Sequence, residues 1–305
     1  MKMGKITSLM GAGILLGWSS LAIAQGQDST RAERDALVIA KLLEGRYDNA
    51  NQAYFDRRLG DPESERHERI HILVEKDEGG SDLAISVSEG GDSEAENLLV
   101  KLSPEPNGRH VRMRFSRAAG SQLAGCDLLF RQEAGQFRAT AERKDCNTNG
   151  LSLPQEIMLG EHELWWQKRG DDKRPYALER ARDFACYIDV PGVGGGRDIP
   201  YKRYEIGHIH DKGGKQWIKL ADGSEVSVTL TNVRWPINNL KGIFTRHSLV
   251  VYVGERKDGE EREIAYSWTQ PDAQRVGINL KSMLVNCFML SNEEIEPFYR
   301  QEPQA

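Results

Sequence analysis

Leu123-Ala-Gly-Cys-Asp-Leu-Leu-Phe130, with its sequel Gly135-Gln-Phe137 running on to Asp145-Cys146, decides how the chain is read. Two short apolar runs flank a glycine-containing turn, and a cysteine stands at the outer end of each. Period-two alternation over Asp127–Arg131 and Gln136–Thr140 reads as a β-hairpin, because successive side chains of a strand point to opposite faces. Pairing across Gln132–Gly135 brings Cys126 and Cys146 to one end of the ladder. A disulfide fits there if both side chains face the same way.

Strand-like runs precede the hairpin at His67–Val74, Leu83–Ser88, Asn97–Leu102 and His110–Phe115, and follow it at Glu156–Met158 and Glu163–Gln167. One amphipathic helix comes before them all. Thr30-Arg-Ala-Glu33 has the form of a capping box, Val38, Ile39, Leu42 and Leu43 mark an apolar side, and Gly45 ends the run. A helix and then successive antiparallel strands over about 150 residues predict a meander that closes into a barrel. After Asp171-Asp-Lys-Arg174 the pattern resets. Strands are predicted at Phe184–Val190, Tyr204–Ile209, Gln216–Leu220, Glu225–Leu230, Ser248–Val253, Arg262–Trp268 and Val276–Met283. Ala221-Asp-Gly-Ser224 and Lys257-Asp-Gly-Glu260 are hairpin turns. The expected fold class is therefore all-β, mainly antiparallel. It comprises an N-terminal helix with a barrel over 31–175, then a second small domain over 183–305, a β-sandwich or open barrel.

Residues 1–24 read as an export signal: Lys2 and Lys5 form a basic start, Ile6–Leu21 holds an apolar core, and Ala22-Ile23-Ala24 is a small-x-small cleavage site, cut after Ala24. The apolar run is short for a spanning helix, and no later stretch is long enough, so no membrane span is expected after cleavage. The expected location is periplasmic or secreted. Loss of the two lysines takes the formal charge from −5 to about −7 with no basic run, which argues against a nucleic-acid partner. Four cysteines in an exported chain are most simply two disulfides. Of the three pairings, the local one is preferred: Cys126–Cys146 closing the hairpin and Cys186–Cys287 closing the second domain. Neither a Cys-x-x-Cys nor a Cys/His cluster suggests a metal site.

Several of these residues together resemble the CpcT/CpeT family of chromophore lyases over about residues 31–175. They are the leading helix, Leu43-x-Gly-x-Tyr-Asp-Asn-x-x-Gln-Ala53, Arg69-x-His71, His110-Val-Arg112-x-Arg114, and Leu123-x-Gly-Cys-Asp127 through Gly135-x-Phe137 to Cys146. The resemblance implies a calycin-type, lipocalin-like barrel, often a homodimer. It implies a bilin or related tetrapyrrole in the barrel mouth, and its transfer to a cysteine of a chromophore-acceptor protein. Without that acceptor, the expectation is a non-catalytic envelope protein that binds a small amphiphilic ligand or a partner. No cofactor is required, and no catalytic residue is identified.

Arg112 and Arg114 share one strand face with each other, and Arg69 stands on an earlier strand. Facing inward, the guanidiniums clamp tetrapyrrole propionates; facing outward, they pair with the many acids. Tyr47, Asn49 and Gln52 either hydrogen-bond a polar edge of the ligand or hold the corner between helix and strand. In the second domain, Pro191-Gly-Val-Gly-Gly-Gly196 lacks the Gly-Lys-Ser/Thr ending of a phosphate loop. His208-Ile-His210 puts two imidazoles on one strand face without a third ligand at a recognisable spacing. Asn232–Asn239 and Tyr266-Ser-Trp268 gather aromatics and amides suited to a sugar or protein contact, or to a packed edge. No Gly-x-Ser-x-Gly elbow exists.

Overall fold

The computed structural model describes residues 30–290 apart from 78, 81, 91–94, 118–120, 144–145, 149, 172, 193–200 and 240–241, and the backbone alone at 236–239 and 242–244. The expected export signal, its expected cleavage site and most of the glycine-rich loop lie outside the described residues.

The described chain opens with α1 (Arg31–Leu43), whose Thr30 and Glu33 form a reciprocal capping box. Its packed stripe is Ala32, Ile39 and Leu43, with Ala36, Ala40 and Leu42 alongside. Val38, expected on the apolar side, is 46 % exposed, because the spacing of 3.6 residues places the stripe elsewhere. Next come β1 (Gly45–Asp48), α2 (Ala50–Leu59), β2 (Ile70–Lys76), β3 (Leu83–Glu89), β4 (Glu96–Pro104) and β5 (Val111–Arg117). They are followed by β6 (Leu128–Glu133), β7 (Gln136–Ala141), β8 (Pro154–Leu159), β9 (Glu163–Lys168) and β10 (Tyr176–Arg180). All neighbours pair antiparallel, and β1 pairs with both β2 and β10, so the ten strands close into a barrel.

The hairpin at the centre of the sequence turns through Ala134 (φ 49°) and Gly135 (φ 82°), with Glu133 opposite Gln136. Two positive φ angles define the two-residue turn whose twist matches the strands. Beyond the far end of that ladder, Cys126 and Cys146 are bonded. Closing loops of this length stabilises by about 3 kcal/mol.

The barrel is filled. Inward residues alternate with outward ones along each strand, and Tyr47, Ile72, Val100, Met113, Phe115, Leu128, Ile157, Leu164 and Leu178 are all 0 % exposed. Eight strands already make an interior just wide enough for side chains. Here the extra width of ten is taken up by large residues, including Trp166 and Phe130, and by the buried face of α1. Hydrogen bonds from Ala32 to the Gly108 carbonyl (3.2 Å) and from Arg31 to Gln132 (2.8 Å) seat α1 over the end formed by the β4–β5 and β6–β7 turns. The opposite end is the mouth.

The remaining strands are β11 (Asp183–Val190), β12 (Lys202–His210), β13 (Lys212–Lys219), β14 (Glu225–Asn239), β15 (Gly242–Lys257), β16 (Glu260–Thr269), β17 (Arg275–Asn279) and β18 (Leu284–Met289). They make two four-stranded sheets, β12-β11-β18-β17 and β13-β14-β15-β16, whose apolar faces share one core. Cys186 and Cys287 stand directly opposite each other on β11 and β18 and are bonded. The single strand expected over Val276–Met283 is instead the end of one strand, β17, and a tight turn in which the Leu280 amide donates to the Met283 carbonyl (2.8 Å). Among the described residues no helix is long and apolar enough to cross a membrane.

Candidate functional site

Arg112 and Arg114 lie on the outer wall of the barrel, because Val111, Met113 and Phe115 of the same strand take the interior. Arg112 donates to Glu105 (2.6 Å) and Asp127 (3.2 Å) and pairs closely with Glu142; Arg114 reaches Asp127 at 3.5 Å. Their guanidiniums are neutralised by neighbours and face away from the lumen. The inward clamp is therefore not formed by this pair.

Tyr47, Asn49 and Gln52 serve the closure of the barrel. Tyr47 is wholly buried and its hydroxyl donates to the Leu42 carbonyl. Arg180 bonds that hydroxyl (3.0 Å) and the Leu42 carbonyl (2.7 Å), so one guanidinium satisfies the end of α1 and seals the β1–β10 seam. Asn49 accepts from the Ile70 amide (2.7 Å) and donates to the Glu68 carbonyl (3.0 Å). Gln52 donates to the Pro175 carbonyl (3.0 Å) and accepts from the Ala177 amide (2.9 Å). Together they clip α2 to β2 and β10.

Arg69 belongs to a third group, at the junction between barrel and second domain. It donates to Asp48 (3.0 Å) and to the Lys212 carbonyl (2.5 Å). Lys212, 5 % exposed, bonds Glu179 of β10 (2.5 Å), which also accepts from Arg234 (2.8 Å) and Asn51 (3.1 Å). His210 packs beside His71, ring centroids 5.2 Å apart. Burial, with the charge of Arg46 nearby, pushes His210 down to about 4. A neutral imidazole wedged among cations is a packing element here.

The mouth is where the barrel meets solvent with a rim of charged and polar groups. A cavity of about 350 Å³ is lined by Glu68 before β2, Glu89 at the end of β3, Lys168 and Arg169 at the end of β9, Asp171, and Tyr176 at the start of β10. Glu89 accepts from Lys168 (2.8 Å) and from the Ser152 hydroxyl (2.5 Å). Burial alone would raise its pKa, but these bonds outweigh it and hold the carboxyl below its ordinary value. Tyr176 is pushed up to about 12 by burial and by the charges of Glu89, Asp171 and Glu68, so its hydroxyl stays a donor. It makes no hydrogen bond among the described residues. Arg169 donates from Nη1 to the Arg143 carbonyl (3.1 Å), while its Nε and Nη2 are buried without any acceptor. Burial lowers its pKa, and among the described residues no carboxylate offsets that. Two buried nitrogens left unbonded cost roughly 1–3 kcal/mol each.

Sequence reasoning passed over these mouth residues. In a chain with 46 acids, any arginine has many candidate partners along the sequence. Only the folded geometry reveals which of these pairs form.

All four cysteines are in disulfides. His67, the most buried histidine, has Nδ1 against Asp56 (2.6 Å) and Nε2 against the Arg174 carbonyl (2.7 Å). Both ring nitrogens face acceptors, which leaves no site for a substrate proton. In comparison with known proteins, no family model matches the chain, and no curated protein and no solved structure matches it. The class that fold and site define is a closed, filled antiparallel barrel with a polar mouth, joined to a domain of two small β-sheets.

Proposed function

We propose that this protein is an exported, non-catalytic binding protein that holds an amphiphilic small molecule across the mouth of its barrel. The observation that carries this reading is the contrast between the two barrel spaces. The lumen is occupied by side chains at 0 % exposure, whereas the mouth opens on a cavity lined by charged and polar side chains. The disulfides and the leader-like N-terminus support an oxidising compartment. A tetrapyrrole is the ligand that the CpcT/CpeT resemblance implies, and its propionates and flat apolar body suit a rim of this kind. Transfer to a thiol would require an acceptor on another protein, since this chain has no free cysteine.

Haem and biliverdin titrations of the mature protein, followed by absorbance, test the proposal. Saturable binding at micromolar protein is the expected result. The double variant Arg112→Ala/Arg114→Ala binds as tightly as wild type, because both side chains are outside the barrel. No spectral change with either pigment refutes the tetrapyrrole assignment.

A second reading places the contact surface on the second domain. Tyr266 and Trp268 project from β16, an edge strand paired on one side only, and are 54 % and 50 % exposed. Flat aromatics on an accessible edge favour docking of a protein or glycan. In that case Trp268→Ala abolishes retention of the envelope partner and leaves pigment titrations unchanged.

A further inference from the structure

We infer that the cleft between β16 and β17 takes an acidic, extended segment of a partner protein, added as a strand to the free edge of β17. This rests on the second reading, in which the second domain carries the contact surface, and it names the chemistry of the partner; the barrel mouth plays no part in it. On one side the two sheets are joined by the chain itself, since β12 passes into β13 through Asp211. On the other side β16 and β17 each pair with one neighbour only, and not with each other. A cavity of about 390 Å³ lies there, lined by Ser267 and Trp268 of β16, by Arg275, Gly277 and Asn279 of β17, and by Asn286 of β18.

The main chain of both edges is available for pairing. In an antiparallel ladder, hydrogen-bonded pairs alternate with pairs whose N–H and C=O groups point away from each other. The Met289 amide donates to the Gln274 carbonyl and the Leu280 amide to the Met283 carbonyl, each at 2.8 Å. Between those two pairs, Arg275, Gly277 and Asn279 therefore turn their N–H and C=O groups away from β18. The same alternation, carried from the Leu220–Ser224 bond (2.8 Å) across β14 and β15, turns those of Tyr266 and Trp268 outward on β16. Neither Ala265–Thr269 nor Arg275–Asn279 contains a proline or lysine to block an added strand.

Charge selects the occupant. No carboxylate lines the cleft. Arg275 is exposed; it donates to the Asn286 side-chain oxygen (2.9 Å) and lies over the Phe288 ring, with no carboxylate partner among the described residues. Arg246 lies over the Trp268 ring, 4.9 Å from its centroid. Two arginines at this edge of a chain with net charge −5 match an acidic strand, which pairs through its main chain and offers its carboxylates to the guanidiniums.

The test uses the full mature chain and a fluorescein-labelled heptapeptide of alternating valine and glutamate, read by fluorescence anisotropy at constant ionic strength. The peptide binds saturably. The same peptide with its backbone amides N-methylated, and one of alternating valine and lysine, each bind about tenfold or more weakly. Arg275→Gln narrows the gap between the glutamate and lysine peptides. Asn279→Pro removes an N–H that β18 does not use, and weakens both. Arg114→Gln behaves as wild type. Equal affinity for the parent and N-methylated peptides overturns strand addition, and equal affinity for the glutamate and lysine peptides overturns the acidic partner. Absence of saturable binding overturns the site, as does binding of cellohexaose in the peptide's place. Self-association in sedimentation that the peptide does not displace assigns the edges to a second copy and likewise overturns it. Should Asn279→Pro fail to fold, the N-methylated peptide decides. Retention of an envelope partner that Trp268→Ala abolishes, without peptide binding, keeps the second reading and removes the added strand. Peptide binding without haem binding leaves this site standing and removes only the tetrapyrrole.

Discussion

Asp48 shows how much one buried carboxylate holds in this fold. It is 1 % exposed and accepts from the Ala50 amide (2.6 Å), His71 Nδ1 (2.9 Å) and Arg69 Nε (3.0 Å). Burial works to raise its pKa, but the bonds from His71, Arg69 and Ala50 prevail and hold it low. A carboxyl with a depressed folded pKa contributes stability that is complete above its unfolded value, about 3.9, and is lost as the pH falls through the folded value. Asp56 and Glu89 shift the same way. The melting temperature is therefore expected to decline from about pH 6.5, where the unfolded chain takes up the proton that buried His210 resists down to about 4, and to fall more steeply below about pH 4 as the carboxyls protonate. Asp48→Asn costs about 1–3 kcal/mol at pH 7, because it removes the buried carboxylate that accepts from Arg69, His71 and the Ala50 amide. In urea titrations its deficit against wild type narrows at pH 3; a deficit unchanged by pH would show that packing and not charge is at stake. At this scale the sequence was partly legible. In Val111-Arg-Met-Arg-Phe115 the alternation itself assigns the apolar residues to the core and the arginines to the outside. The clamp reading followed the family resemblance against that local signal.

Among the elements, the longest are β14 and β15, of 15 and 16 residues. The period-two pattern is expected to end at Leu230 and to resume at Ser248, with the aromatics and amides of Asn232–Asn239 between them near turns. Proline interrupts a ladder only where its missing N–H would have a partner. β13 pairs with β14 no further than Thr231, so Pro236 sits in a two-stranded ribbon with one open edge. The turn between β17 and β18 was invisible for the opposite reason: Asn279-Leu-Lys-Ser-Met283 contains neither glycine nor proline. Close approach of strands is a third property that composition does not reveal. Gly254 lies opposite Ser227, and a Cβ at 254 would stand 2.6 Å from the Ser227 hydroxyl. Gly254→Ala is expected to destabilise by about 1–3 kcal/mol. Adding Ser227→Ala recovers part of that loss, a coupling measurable by a double-mutant cycle in urea. Strict additivity of the two variants would mean that the strands separate instead of the hydroxyl giving way.

For the whole molecule, the alternation foretold a barrel but not its filling, since occupancy depends on strand number and summed side-chain volume together. The junction was still less accessible, because its partners lie far apart in sequence: Glu179 meets Lys212 and Arg234, and Arg69 meets the Lys212 carbonyl. Glu179 is the hub, its carboxyl pulled low by Lys212 and Arg234 against the effect of burial. The two apolar cores are separate, one within residues 32–178 and the other within 184–287. Whether they melt together then depends on this polar seam and on the Arg182–Asp211 pair (2.8 Å) beside it. Glu179→Gln keeps the shape of the side chain but leaves the buried Lys212 ammonium without a counter-charge, a loss of about 3–5 kcal/mol concentrated at the seam. Wild type is expected to unfold in one calorimetric transition at pH 7, and Glu179→Gln in two, with the barrel and the second domain melting apart. Lys212→Met in the Glu179→Gln background removes the stranded charge and brings the two transitions closer again. A single transition in Glu179→Gln, merely shifted down, would mean that the seam carries stability without coupling the domains.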